Sequence, residues 1–376
     1  MASSLRLLLG GDLMLGRGLD QCLAHHCDPA LEEPLVRDAR HYVALAEARD
    51  GPIVRPMGAA DPWGVALEVM ETLAPDLRLV NLETAMTQSG RPWPGKAVHY
   101  RLHPANVDVL KVARIDACCL ANNHVLDWGL NGLAETLRTL RLAGIASVGA
   151  GLSLHQAQGP ARLPLRGGGR LLLFAWALAS SGVPPDWAAL PDRPGVALLP
   201  GIDAGTAKWL ARSIRRHRRA ADRVVVALHW GANWVPVVPE AHRWLARQLI
   251  DLANVDVVFG HSSHHPLPLE IHRGRLILYG CGDLLNDYEG LPAHAPWRSD
   301  LVCLYAVDLD PLSGALQRLM IHPFQLRGFR LRPARSSDRA LLWRQMGLEL
   351  APAGWGGRDH EGAWCLRPLR SAIAAP

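Results

Sequence analysis

Several classes of protein are disfavoured by what this 376-residue sequence lacks. No apolar run approaches the ~18 residues that suggest a membrane-spanning helix, so no membrane span is expected. The first residues contain no basic leader followed by a cleavage site, and the seven cysteines are odd in number and scattered along the chain. These absences predict a cytoplasmic protein with free thiols.

Lysine is scarce, because the chain contains only Lys96, Lys111 and Lys208. The net charge of +5 therefore comes from arginine. A basic balance permits an anionic partner, such as a polycarboxylate, a nucleic acid or a membrane surface, without selecting among them. Arginines cluster between residues 212 and 219, but no interleaved aromatic residues and no nucleic-acid motif accompany them. A solvated helix face is therefore favoured, and no nucleic-acid partner is predicted.

Five apolar runs, each predicted to be a β-strand, end abruptly in polar side chains. One runs from Ile115 to Ala121 and continues into Asn122, Asn123 and His124. The other four lead to Asp12, Glu83, His229, and the pair His261 and His264. One such ending alone would be a turn. Five of them predict a ligand-binding edge at the carboxyl ends of the strands, where oxygen and imidazole ligands suit Zn, Mn, Fe or Co.

The order of predicted elements indicates an α/β protein. Strands and helices alternate up to about residue 148, as in parallel βαβ units, and three hairpins follow at about 162–176, 267–279 and 301–322. The composition changes after residue 325, where arginine is frequent and a helix is predicted at about 337–350. We therefore predict a main domain over residues 1–325 and a helical appendage over residues 326–376 that packs on it.

Six segments of the sequence carry a resemblance to a known family. They are Gly11 to Arg17, Asn81 to Glu83, Ala121 to Gly129, His229 to Gly231, Gly260 to His264, and Tyr279 to Asp283. Their order and spacing resemble the CapA family, which is named for poly-γ-glutamate capsule synthesis. The resemblance covers roughly residues 5 to 310. It implies a calcineurin-like metallophosphatase fold, which is a four-layer α/β/β/α sandwich.

The resemblance also implies which residues hold metal. One position would be formed by Glu83, Asn123, His229 and His261, and a second by Asp12, Glu83 and His264. Relatives that hold two metals normally have a histidine two places after the first aspartate, whereas this sequence has Met14, a poor ligand for a hard cation. We therefore expect one firmly held divalent metal and a second site that is weak or empty. Asp12 would then be free to carry a proton.

Proton carriers and substrate contacts are predicted at the same edge. By resemblance, His124 faces the substrate and can donate a proton or stabilise an oxyanion. His294 follows a predicted strand and is a further candidate, with a surface loop as the alternative. Three cations are predicted to hold a substrate carboxylate, the alternative being a solvated charge: Arg17, Lys96 and Arg101.

Three functions remain open at this stage. The first is a soluble metal-dependent enzyme acting on a carboxylate-bearing peptide or a poly-γ-glutamate-like chain. One branch of the family resembles lasso-peptide epimerases, and Asp12 and His294 would then be the acid–base pair that inverts an α-carbon. The second is a metal-dependent hydrolase or phosphoesterase with His124 as the acid. The third is a non-catalytic component of capsule synthesis. The oligomeric state is also left open.

Overall fold

The computed structural model describes residues 4–292, 296–348 and 354–369. Its α-helices are α1 (Arg17–Asp20), α2 (Arg40–Asp50), α3 (Ala66–Leu73), α4 (Asp108–Val112), α5 (Gly129–Leu142), α6 (Leu154–Gln158), α7 (Ala204–His217), α8 (Glu240–Ala253) and α9 (Ser336–Gln345). Among the described residues, every helix is too short or too polar to cross a bilayer.

The strands fall into two halves of the chain. The first half contains β1 (Leu5–Leu13), β2 (Leu77–Leu82), β3 (Ala85–Met86), β4 (Arg101–Leu102), β5 (Ala117–Cys119), β6 (Ala146–Val148), β7 (Ala150–Gly151), β8 (Ala161–Pro164), β9 (Arg170–Leu178), β10 (Gly195–Val196) and β11 (Leu198–Leu199). The second half contains β12 (Arg223–His229), β13 (Val257–His261), β14 (Leu269–His272), β15 (Arg275–Leu278), β16 (Asp283–Leu285), β17 (Leu301–Leu309), β18 (Leu316–Arg327), β19 (Arg330–Pro333), β20 (Trp355–His360) and β21 (Ala363–Pro368).

The first large sheet has ten strands in the order β20-β21-β18-β17-β1-β2-β5-β6, with β16 beside β1 and β19 beside β18. Strands β1, β2, β5 and β6 are parallel, as the alternation of strands and helices predicts. Asp12 pairs with Asn81 across β1 and β2, and Asn81 pairs with Cys119 of β5. The carboxyl ends of these strands therefore lie level at one edge of the sheet.

The second large sheet has seven strands in the order β11-β9-β12-β13-β15-β14, with β8 beside β9. Strands β9, β12, β13 and β15 are parallel, and β8–β9 and β14–β15 form the predicted hairpins. His229 and His261 are register partners at the carboxyl ends of β12 and β13. Two predicted ligands thus leave the second sheet side by side.

The two sheets pack face to face between outer layers of helices. Alternate residues of β9 show this, because side chains alternate across a strand. Leu171 and Leu173 belong to a core shared with β1, β2, α3 and α5, whereas Leu172 and Phe174 belong to a core shared with α7 and α8. The four-layer α/β/β/α sandwich predicted from the sequence is therefore confirmed.

The segment after residue 325 extends the first sheet. The predicted helix is present as α9, but β19 and β21 also pair with β18, and β20 pairs with β21. The description of this segment as helical omitted these strands, because Gly356 and Gly357 give β20 a weak strand propensity. The division between residues 325 and 326 stays a prediction, and β18 runs across it.

Candidate metal centre

Four of the predicted ligands converge where the carboxyl ends of both sheets meet. Asp12 comes from the end of β1, and Glu83 directly follows β2. His229 and His261 are the last residues of β12 and β13. Each of these four side chains is at most 1% exposed. Their meeting place is therefore a buried, polar point within an otherwise apolar sandwich.

A glycine allows the close approach that brings a further carboxylate to this place. A Cβ at Gly11 would lie 1.8 Å from the carbonyl oxygen of Gly282, so only glycine fits between β1 and the segment before β16. Asp12 accordingly becomes the register partner of Asp283. Asp283 was not among the ligands predicted from the sequence. The signal was available, because Asp283 follows an apolar strand as the other predicted ligands do.

The loop after β13 turns twice through left-handed backbone. Ser262 has a φ of 86° and His264 a φ of 57°, conformations that cost energy for residues other than glycine. The backbone N–H of Ser262 donates to Asp12 Oδ2 over 3.2 Å, and His264 Nδ1 lies 4.0 Å from the same oxygen. The strained loop thus brings the backbone N–H of Ser262 and the imidazole of His264 to Asp12.

Two potential ligand atoms lack a hydrogen-bond partner among the described residues: Glu83 Oε1 and His261 Nε2. Glu83 Oε1 lies 3.9 Å from His229 Nε2, which in turn lies 3.0 Å from Asn123 Oδ1. Ligand atoms of Asp12, His229 and His261 lie within 4.8 Å of one another. Buried polar atoms are normally paired, and two ligands of one Zn²⁺-like ion stand roughly 3–4 Å apart. The donor set therefore fits a divalent transition metal.

The electrostatics of the centre lead to the same conclusion. Burial, reinforced by the charge of Asp283, raises the pKa of Asp12 to about 7. Burial and the charge of Asp12 raise the pKa of Glu83 well above its usual range. Burial lowers the pKa of His261 to about 3, and burial with the neighbouring imidazoles lowers the pKa of His229 far below its usual range. A bound cation would stabilise the ionised carboxylates and the neutral imidazoles that this arrangement requires.

A second group of potential ligands adjoins the first. It contains Asp12, His264 and Asp283, all buried. His264 Nδ1 lies 2.8 Å from Asp283 Oδ1, so this imidazole already has a carboxylate partner. The hydroxyl of Tyr288 donates to the sulfur of Met14 over 3.3 Å. The position that carries a histidine in two-metal relatives is therefore filled by a thioether with its own partner, and a weak second site stays a prediction.

Two asparagines hold the carboxylates of Asp12 and Glu83 in place, and neither was predicted from the sequence to have a role. Asn81 Nδ2 donates to Asp12 Oδ1 over 2.8 Å and to Glu83 Oε2 over 3.1 Å. Asn122 Nδ2 donates to Asn81 Oδ1 over 3.1 Å. Such partners fix the orientation of metal ligands. Both asparagines belong to segments that carried the family resemblance, which was the only signal for them.

His124 stands beside the ligands with a partner of its own. Its Nδ1 lies 2.6 Å from Asp127 Oδ2, and its Nε2 lies 4.0 Å from Glu83 Oε1. Asp127 also pairs with Lys96 over 2.5 Å and accepts from the backbone N–H of Tyr100 over 2.7 Å. Burial lowers the pKa of His124 to about 4, against the opposing charge of Asp127. The imidazole is thus neutral, with Nδ1–H directed at Asp127 and Nε2 directed at the ligand cluster.

The three predicted substrate cations differ in their surroundings. Lys96 lies at the centre, where its ammonium also donates to the carbonyl oxygen of Asn123. The guanidinium of Arg17 is buried and paired with Asp287 over 2.6 Å and Glu33 over 3.2 Å, which favours a structural role over the predicted substrate contact. Arg101 is half-buried, and its guanidinium carbon lies 3.7 Å above the ring of Trp128. His294 lies outside the described residues.

Comparison with known proteins places this centre in a family. The family described as bacterial capsule synthesis protein PGA_cap matches residues 6–288. A probable polyglutamine synthesis accessory protein of Mycobacterium tuberculosis is 45% identical over 337 residues, which cover 89% of this chain and 88% of that protein. The PGA biosynthesis protein CapA of Bacillus subtilis is 29% identical over 208 residues, or 55% of this chain and 52% of that protein.

Solved structures with a similar arrangement share little sequence. A novel phosphatase of Mycoplasma pneumoniae has a TM-score of 0.48 and 12% identity, covering 86% of this chain and 95% of that chain. A calcineurin-like phosphoesterase of Bacillus subtilis has a TM-score of 0.44 and 11% identity, covering 92% and 97%. The family match, in contrast, spans residues 6–288, and the mycobacterial similarity extends over nearly the whole chain. This protein therefore belongs to the bacterial capsule synthesis (PGA_cap) family.

Proposed function

We propose that this protein is a metal-dependent enzyme that acts on a carboxylate-rich chain, either a poly-γ-glutamate-like polymer or a peptide. The observation that carries the proposal is the convergence of buried carboxylate and imidazole side chains, with Glu83 Oε1 and His261 Nε2 unpaired among the described residues, beside the His124–Asp127 pair. The relatives are named for polyglutamine synthesis and for PGA biosynthesis, which supports a polymer of the glutamate type as the substrate class. The net charge of +5 is compatible with an anionic substrate. The cytoplasmic location stays a prediction.

The residues divide between metal binding and proton transfer. Glu83, Asn123, His229 and His261 would hold the metal. When bound, the metal would supply a Lewis acid that polarises a carbonyl group of the substrate. Asp127 fixes the tautomer of His124 through Nδ1, which leaves Nε2 to exchange a proton with the reacting group. Lys96 and the backbone of Tyr100 hold Asp127 in turn.

Hydrolysis of an amide within the chain is the reaction that the described residues support most directly. It requires the metal and one proton carrier. Nε2 of the neutral His124 would accept a proton from the attacking water and then pass that proton to the leaving amine. Epimerisation of an α-carbon is the second candidate. It ranks below hydrolysis because it requires two proton carriers instead of one. The observation that favours it is the position of Asp12, whose pKa is raised to about 7 while it shares Asn81 with Glu83.

One experiment on purified protein tests the metal centre. Metal content is measured after reconstitution with Mn²⁺, Zn²⁺, Co²⁺ or Fe²⁺ for the wild type, Glu83→Ala and His229→Ala. His272→Ala is the matched control, because this partly exposed histidine lies on β14 and pairs with Asp251. We expect both ligand variants to lose the metal and the control to keep it. Full occupancy in either ligand variant would refute the ligand assignment.

A second experiment separates the reactions. The reconstituted protein is incubated with poly-γ-glutamate in deuterated water, and both chain length and deuterium content are measured. Shortened chains without label indicate hydrolysis, whereas label at the α-carbon without shortening indicates epimerisation. Rapid metal-dependent turnover of simple aryl phosphates, with no change in the polymer, would favour a phosphoesterase instead. An unchanged cellular phenotype in a His124→Ala strain would favour the non-catalytic alternative.

A further inference from the structure

The outer face of helix α7 carries positive charge without any compensating acid. Residues 204–219 contain no aspartate or glutamate, and five exposed cations lie along this segment: Lys208, Arg212, Arg215, Arg216 and Arg219. Within the described part of the chain, the side chains of Lys208, Arg212 and Arg216 have no hydrogen-bond or ion-pair partner. Most other arginines have a hydrogen-bond or ion-pair partner within the described residues. Arg170, for example, pairs with Asp222 over 2.7 Å. These three cations are therefore available to an external anion.

Two adjacent grooves accompany these charges. Trp209, Arg212 and Arg216 recur at helical spacing, so they form one stripe along α7. On one side of Trp209 lies a groove of about 230 Å³, to which Arg212, Arg216 and His155 contribute. On the other side lies a groove of about 420 Å³ with an apolar lining that includes Leu198. Half-buried Trp209 belongs to both grooves.

We propose that this stripe is an anchoring site for the polycarboxylate chain, separate from the metal centre. The identity of the occupant rests on the proposed function. Guanidinium groups bind carboxylates in bidentate geometry, and two of them one helical turn apart match a chain that repeats a carboxylate. The methylene groups of a glutamyl chain fit the apolar groove beside Trp209. The groove lined by arginines thus matches the carboxylate of the repeating unit, and the apolar groove matches its methylene groups.

Other anionic partners fit this surface less well. A bilayer would require protruding apolar side chains, whereas the apolar residues of this face line a concave groove and Leu199 is only 3% exposed. A single-stranded nucleic acid would require several large aromatic side chains for base stacking, and α7 contains one tryptophan, Trp209, and no phenylalanine or tyrosine. A flexible polycarboxylate needs neither feature.

The position of the stripe suits an anchor for a long chain. Helix α7 ends at His217, and β12 begins at Arg223 and runs to the metal-centre residue His229. The carboxyl end of α7 therefore lies near the start of β12. The seven residues of β12 extend about 20 Å from there to the centre. A short substrate reaches only one of these places, whereas a polymer can occupy both.

The test measures binding separately from turnover. Fluorescently labelled poly-γ-glutamate is titrated with the 376-residue Glu83→Ala protein, in which we expect no turnover, at low and high salt. Arg212→Glu/Arg216→Glu is introduced into this background, with Arg138→Glu/Arg141→Glu on α5 as the matched control. Arg138 and Arg141 are also exposed, and they lie on the opposite helical layer. Arg212→Gln/Arg216→Gln is included in case the reversed charges disturb folding.

We expect the α7 charge reversal to weaken binding about tenfold or more at low salt, the neutral variant to weaken it less, and the α5 control to change it less than about twofold. Equal losses in the α7 and α5 variants, or no loss in α7, would overturn the proposal. Loss of binding to phosphatidylserine vesicles or to single-stranded RNA, with polymer binding unchanged, would overturn it in favour of those partners. Absence of turnover in the wild type, with α7-dependent binding intact, would refute the proposed function and leave the anchoring site standing.

Discussion

At the scale of single residues, Asp12 has two possible tasks. Its oxygens accept hydrogen bonds from Asn81 Nδ2 and from the backbone N–H of Ser262, and a ligand atom of Asp12 lies near those of His229 and His261. A metal ligand and a proton carrier both require an oxygen directed at this place. Replacing the carboxylate of Asp12 with an amide separates the two tasks. The amide keeps the shape of the side chain but cannot accept a proton.

Asp12→Asn should therefore keep most of the bound metal and lose turnover by about 10²–10⁴-fold, the usual contribution of a general acid or base. Metal retention is expected because all four predicted ligands of the first metal position remain. The folded state should also lose roughly 1 kcal/mol, since both of Asp12's hydrogen-bond partners are donors and an amide can satisfy only one. Metal content, turnover and urea unfolding check these three results. Metal loss equal to that of His229→Ala would instead make Asp12 an essential ligand.

Asp127→Asn tests the pair that positions His124. The substitution removes the carboxylate that selects the Nδ1–H tautomer and leaves the buried ammonium of Lys96 without its counter-ion. Turnover should fall by about 10²–10⁴-fold with unchanged metal content. Asp108→Asn is the control, because Asp108 pairs with Lys111 over 2.7 Å but is exposed. The role of the pair would be refuted if both variants retained wild-type turnover.

At the scale of secondary-structure elements, the sandwich depends on how closely the two sheets approach near the centre. Gly149 has a φ of 90°, and a Cβ there would lie 2.6 Å from Ala121 Cβ of the first layer and 2.8 Å from Ala175 Cβ of β9. The connection between β6 and β7 therefore passes between the sheets through a space that holds only glycine. Gly144 also has a positive φ, 74°, but a Cβ there would meet no atom within 4 Å.

Gly149→Ala should consequently destabilise the protein more than Gly144→Ala. Both variants incur the cost of a left-handed conformation, about 1–2 kcal/mol, and only Gly149→Ala adds a steric cost of about 1–3 kcal/mol. The free energy of unfolding from urea titration measures the difference. Equal destabilisation of the two variants would show that the sheets separate to accommodate the methyl group.

The strand ends were predictable from the sequence because strands end where apolar residues give way to polar ones, and parallel strands share one carboxyl edge. Asp12, Glu83 and His229 could be recognised in this way. Contacts between distant parts of the chain could not. Arg17 and Asp287 are separated by 270 positions, and nothing local to Arg17 indicates that this partner buries it. The short strands β20 and β21 were missed because their pairing with β18, and not their own composition, makes them strands.

At the scale of the whole molecule, the buried carboxyl group of Glu289 joins three distant segments. Asp50 ends α2, Glu289 follows β16, and the oxygens of Glu289 accept from the backbone N–H groups of Gly328 (2.7 Å) and Phe329 (2.6 Å) in the β18–β19 turn. Glu289 is 1% exposed. Burial, together with the neighbouring carboxyl of Asp50, raises the pKa of Glu289 to about 7. A proton on Glu289 therefore helps to hold the amino-terminal region, the β16 segment and the carboxyl-terminal hairpin together.

The raised pKa predicts how stability depends on pH. Between the usual pKa near 4.5 and the folded value of about 7, the folded state holds a proton that the unfolded state has released. The contribution of Glu289 is therefore complete below pH 4.5 and is lost as the pH rises through 7. Glu289→Gln removes this titration. The variant should be less stable than the wild type at pH 5, because the amide has one acceptor oxygen fewer than the carboxyl group. The stability difference between wild type and Glu289→Gln should thus shrink by on the order of 1–3 kcal/mol from pH 5 to pH 8.

Urea unfolding of chelator-treated protein at several pH values measures this difference without interference from metal binding. Glu270→Gln provides a control of opposite sign. Burial opposes ionisation of Glu270, but hydrogen bonds from Arg247 and Tyr279 outweigh it and lower the pKa of Glu270. Its contribution is present above pH 4.5 and is lost only as the pH falls below that value, so this variant's difference from wild type should stay constant between pH 5 and pH 8. A constant difference for Glu289→Gln over the same range would mean that Glu289 is ionised throughout and is held by its two backbone donors.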